Sequence, residues 1–123
     1  MAILNIGKDF STDPAGRFYS DGGDSSGEEF REDHLLPALK QLTHNEKLEI
    51  IIDDSVEGYG SSFLVEGFAG LVKYGYMTAE DLLGRLQITH TNPEFEFYKN
   101  KILQYINEAK YNSKKYTPTT KPK

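Results

Sequence analysis

The apolar positions of this chain fall into short runs of two different periods, and the change of period predicts the elements. Residues 48–53, Leu-Glu-Ile-Ile-Ile-Asp, form a β-branched run that reads as a strand buried on both faces and ending in carboxylates. Residues 2–6 read as a first strand, and residues 86–90 alternate like a strand with one buried face. Helical spacing appears elsewhere. Phe63, Leu64, Gly67, Phe68, Leu71 and Val72 recur on one helix face, which predicts a helix ending near Tyr74 and Gly75, where glycine suits a left-handed terminal residue. Phe95, Tyr98, Ile102, Ile106 and Ala109 predict another, opened by Asn92 and Pro93 and running to about Tyr111.

Punctuation residues fill the intervals. Asp13-Pro14, Gly16 and Gly22-Gly23 enclose the extended candidate 17–19, so a loose hairpin is expected there. Ser26 with Glu29 is a capping box and starts a helix. Pro37 should break or kink that helix near Leu36 at a cost of roughly 3 kcal/mol, with a restart to Leu42 that sets Leu35, Leu39 and Leu42 on the sheet. Thr78 caps a short helix that reaches about Gly84. Strands alternating with helices predict an α/β fold, a small mixed β-sheet of about four strands packed with helices in a sandwich.

With 123 residues there is enough chain for one core, read as a domain over residues 1–111 followed by a basic flexible tail over 112–123. That tail carries four lysines and no acidic residue, and a solubilising end is favoured over a nucleic-acid arm. The net charge of −5 argues against nucleic acid as the main partner. No run approaches the roughly 20 apolar residues of a membrane span, and without cysteine no disulfide or thiolate metal site can form, so a cytoplasmic protein is expected.

The chemistry concentrates at residues 57–62, where Gly58 and Gly60 make a tight strand-to-helix turn that places Ser61 or Ser62 as an N-cap hydroxyl. A phosphate would also be stabilised there by the helix dipole and free N–H groups. Capping alone would account for the serines equally well. Gly-Tyr-Gly-Ser-Ser lacks the full glycine-flanked nucleophile elbow, which argues against hydrolase chemistry, and no catalytic residue or cofactor is expected. Asp53, Asp54 and Glu57 favour the dipole of the following helix over a magnesium site, and His34, His44 and His90 lack metal spacing, so no metal is expected. Arg17 and Arg31 have guanidinium forks suited to phosphate or carboxylate, an internal salt bridge being the simpler role. Tyr59, Phe63, Phe68, Tyr74 and Tyr76 offer aromatic surface, half or more of it destined for the core.

Gly16-Arg17, residues 26–31, Leu36-Pro37 and above all residues 58–71 resemble, in the same order, a STAS-like domain family of unknown function found in bacteria and phages. That family is similar to the STAS domains of anti-sigma-factor antagonists. The resemblance implies a non-enzymatic regulatory module that binds a protein partner through Gly58, Tyr59, Gly60 and Phe63. It also implies a serine, carried onto Ser61 with Ser62 beside it, that is phosphorylated by a serine kinase with a histidine-kinase-type ATPase fold. Two positions depart from the antagonist pattern: Gly60 stands where the aspartate would be, and Phe63 where a glycine would follow. The alternative is a nucleotide- or phosphate-ligand-binding domain that uses the 58–62 turn with Asp53 and Asp54 holding magnesium, against which stands the lack of a P-loop lysine. Self-association is left open.

Overall fold

The computed structural model describes residues 2–120. Three strands form its sheet: β1 (Ala2–Asn5), β2 (Leu48–Ile51) and β3 (Leu86–Thr89). They lie in the order β1-β2-β3, all parallel, with Ala2, Leu48 and Leu86 abreast in register. The expected mixed sheet of four strands is corrected on both points. The segment expected to supply a hairpin instead makes a 3-10 turn at Tyr19–Asp21, because the Asp21 carboxylate accepts from the backbone N–H groups of Arg17 and Phe18 and curls the chain on itself. With no hairpin, every link between strands passes through helix, and parallel pairing follows.

Three helical stretches carry those links, α1 over residues 27–40, α2 over residues 61–73 and α3 (Ala79–Arg85), and a fourth, α4 (Glu96–Glu108), follows β3. The start of α1 is as expected, with Ser26 Oγ accepting from Glu29 N at 3.1 Å. Pro37 does not break it. The helix widens to a π turn at Phe30–Leu35 just ahead of the proline, and Leu36 keeps helical dihedrals of −61° and −47°. A widened turn shifts the carbonyl that the pyrrolidine ring would otherwise strike, so the helix continues through the proline to Lys40.

For parallel strands in the order 1-2-3, crossovers of one hand keep the connecting helices on one side of the sheet. Burial follows that rule. Leu4, Leu48, Ile50, Leu86 and Ile88 point into the core, whereas Ile3 is 57% exposed and Glu49, Ile51 and Gln87 lie at least partly in solvent. The central strand is therefore buried on one face, not two as its run of isoleucines suggested. Above the buried face, Phe30, Phe63 and Phe68 form an aromatic centre with ring separations of 5.6 and 5.3 Å, and α1 crosses α2 where Gly27 meets Gly67. A Cβ on Gly27 would stand 2.8 Å from the Phe63 carbonyl oxygen, so only glycine permits this approach.

Residues 112–120 lie along the body, tied by Asn112 N to Val72 O and Lys114 N to Lys73 O, each at 3.0 Å, while Lys121, Pro122 and Lys123 fall outside the described residues.

Candidate functional site

The carboxyl end of β2 leads into the turn through two engaged acids. Asp53 Oδ2 accepts from the backbone N–H groups of Thr91 and Asn92, both at 2.7 Å. Its partial burial works against ionisation, but these hydrogen bonds prevail and hold its carboxyl below the usual 3.8. Asp54 Oδ2 accepts from Asn5 Nδ2 at 2.7 Å and so ties β2 to β1. Both acids are fastening loops at the sheet's end, where the phosphate-ligand alternative would have them hold a cation.

Beyond them the turn is pinned from below by aromatic side chains. Tyr59 donates its hydroxyl to the Ile52 carbonyl at 2.6 Å, and burial pushes its phenol well above 10.0. Its ring stacks on Phe63 at 5.7 Å and meets Tyr98 edge-on at 5.6 Å. Gly58 lies so close to Tyr98 that an added Cβ would sit 2.6 Å from its hydroxyl oxygen.

Gly60 is the N-cap of α2, with extended dihedrals of −79° and 151° and no side chain to cap with. The serines are therefore the first two helical residues, one position further on than the expected N-cap. Ser61 is exposed, and among the described residues nothing hydrogen-bonds to its hydroxyl. Ser62 is half-buried and its Oγ lies 3.4 Å from Arg17 Nη2. That guanidinium is exposed and is held in place from its own backbone, by Arg17 N to Asp21 Oδ2 at 2.8 Å and by Glu28 N to Arg17 O at 2.9 Å.

The fold thus brings Arg17, Gly58, Tyr59, Gly60, Ser61 and Ser62 together at the turn and takes Arg31 and Phe63 into the interior. Phe63 is fully buried in the aromatic centre. Arg31 is fully buried too, with Nη1 on Glu66 Oε2 at 2.8 Å and Nε on Glu32 Oε2 at 2.7 Å. Its salt bridges are internal to the chain. A polar cleft of about 300 Å³ beside the turn is lined by Thr12, Asp13, Ser55, Glu57 and Gly58. Two carboxylates and no base line that cleft, an unfavourable field for a phosphorylated ligand.

A second buried cluster escaped the sequence reading. Glu28 and Glu66 are both inside the fold, Glu66 accepting from the Tyr74 hydroxyl at 2.6 Å as well as from Arg31. The signal was present, since Glu66 interrupts the apolar run of α2 one turn after Ser62. Among the described residues no group of acids and histidines has the arrangement to hold a metal ion, and no helix is long and apolar enough to cross a membrane.

Comparison with curated proteins and with solved structures returned no significant match. Residues 26–96 match the family described as a STAS-like domain of unknown function (DUF4325), a span that holds β2, the turn, both buried glutamates and all of α2 and leaves Arg17 and the C-terminal segment outside. With more than half of its length matched over the elements that build the turn, this chain belongs to the family of STAS-like domains of unknown function.

Proposed function

We propose that this chain is a non-enzymatic regulatory module that binds a protein partner through the strand, turn and helix around Ser61, and that phosphorylation of Ser61 switches that binding. The observation carrying this reading is an exposed, unengaged Ser61 hydroxyl at the first position of α2, with the exposed guanidinium of Arg17 one residue away on Ser62. A kinase of the histidine-kinase-type ATPase fold would join Ser61 Oγ to the γ-phosphorus of ATP. The bond to ADP breaks, and the hydroxyl proton passes to the kinase's base. The product adds nearly two negative charges where helix N–H groups and Arg17 can receive them, while a partner surface matched to the neutral turn is repelled. Tyr59 and Gly58, braced by Tyr98, give the turn a fixed shape for that partner to read.

The test is reconstitution with a candidate kinase of that fold, followed by phosphopeptide mass spectrometry and titration of the partner. The expected result is one phosphate on Ser61, with Ser61→Asp weakening the complex at least tenfold and Ser61→Ala retaining it. Phosphate on neither Ser61 nor Ser62, with binding unchanged in Ser61→Asp, removes the switch and leaves the interaction module to stand alone.

A further inference from the structure

Glu28 is a carboxylate with no solvent exposure whose partners come mostly from the far end of the chain. Its Oε2 accepts from the Tyr116 hydroxyl at 2.7 Å and from Thr119 N at 3.0 Å, and its Oε1 accepts from Tyr19 N at 3.0 Å and from the Thr119 hydroxyl. Thr119 Oγ1 in turn accepts from Ser20 N at 3.1 Å. Beside this carboxylate, the Tyr116 ring lies 4.8 Å from Arg31 Cζ and Tyr74 lies 4.6 Å from it, while Arg31 Nη2 is buried without a hydrogen-bond partner. The segment that fills this cradle contains neither helix nor strand, and Lys114, Lys115, Thr117 and Pro118 are all exposed.

From this arrangement we infer that Glu28 and Arg31 form a peptide-binding site, occupied here by residues 116–119 of the same chain acting as a detachable ligand. The ligand class is an extended peptide that presents a tyrosine and, three residues later, the amide and hydroxyl of a threonine to one buried carboxylate. Detachment is built in because each donor that reaches Glu28 from the C-terminal segment is one that water can replace once the cradle opens. Tethering supplies an effective concentration on the order of millimolar, so a free-peptide dissociation constant near 100 μM suffices to keep the segment docked about nine-tenths of the time. Opening would also release the Ser20 amide from the Thr119 hydroxyl, in the same loop that carries Arg17 to Ser62. The cradle stands apart from the Ser61 switch, and either can fail without the other.

Hydrogen exchange on the full-length chain tests the docked state. The amides of Thr119 and Ser20 are expected to exchange about five- to tenfold more slowly than in an unstructured peptide, and Glu28→Gln is expected to remove that protection while the Ile50 amide stays protected. The second arm uses the full chain with Tyr116→Ala and Thr119→Pro, which frees the cradle, and a fluorescein-labelled peptide of residues 112–120. This variant should bind the peptide about tenfold more tightly than the unaltered chain, whose own segment competes. Unprotected Thr119 and Ser20 amides in the unaltered chain, equal peptide affinity for both proteins, or no peptide binding by the variant would each overturn the inference.

Discussion

Gly60 decides what the turn looks like to another molecule. At an N-cap in extended backbone, with nothing within 4 Å of where its Cβ would lie, the position has room for a capping side chain and does not use it. The aspartate of the antagonist pattern would fit there. Gly60→Asp should therefore raise stability by about 1 kcal/mol through a carboxylate accepting from the first-turn N–H groups, read as a higher urea midpoint at unchanged slope. A lower midpoint would mean that the turn is more confined than its geometry shows. Gly58 is the opposite case, since Tyr98 fills the space a side chain would need. Both glycines were conspicuous in the sequence. Which of them was needed for space and which stood open depended on Tyr98, forty residues away in the chain.

Among the elements, α2 combines the exposed turn with a buried ionic centre. Its π turn at Val65–Ala69 brings Glu66 to Arg31 on α1, and the absence of a side chain on Gly70 makes room for that guanidinium, whose Nη1 lies 2.6 Å from where a Cβ would be. Removing one member of a fully buried pair leaves the other charged and unpaired. Glu66→Ala is accordingly expected to cost about 3 to 5 kcal/mol in urea unfolding, with the double change Arg31→Met and Glu66→Leu recovering most of it. A loss under 1 kcal/mol in the single variant would show that Glu32 alone satisfies the cation. The helix periods of α1 and α2 were legible because their apolar positions recur regularly. Their π turns were not, because a widened turn is a response to Pro37 in one case and to packing in the other, and neither leaves a mark on hydrophobic spacing.

At the scale of the whole molecule, phenol hydroxyls tie distant segments together. Tyr19, Tyr59, Tyr74, Tyr76 and Tyr116 all have their ionisation pushed above 10.0, first by burial and then by neighbouring carboxylates for all five, Asp33, Asp53, Glu66, Glu32 and Glu28 among them. A group that holds its proton more tightly when folded contributes stability that is intact below pH 10 and is lost as the pH rises past it, since the unfolded chain ionises first. Urea midpoints should thus be level between pH 8 and 9 and fall above pH 10. Tyrosinate absorbance should rise for only part of the eight tyrosines until the chain unfolds. A full tyrosinate rise in the folded protein near pH 10 would contradict these hydrogen bonds. At this scale the sheet also departs from expectation, because sequential parallel strands send both crossovers over one face and leave Ile3 and Gln87 on the other.

The three strand segments, the capped starts at Ser26 and Thr78 and the family to which the chain belongs were all determined by the sequence alone, since each rests on local periodicity, capping chemistry or contiguous motif. Only the tertiary structure decided which face of β2 is covered, that Arg31 and Phe63 go inside while Arg17 reaches the turn, and that residues 116–119 return to Glu28. Those outcomes depend on contacts between residues up to 99 positions apart, and a pattern read along the chain carries no information about which distant side chain will fill a given space.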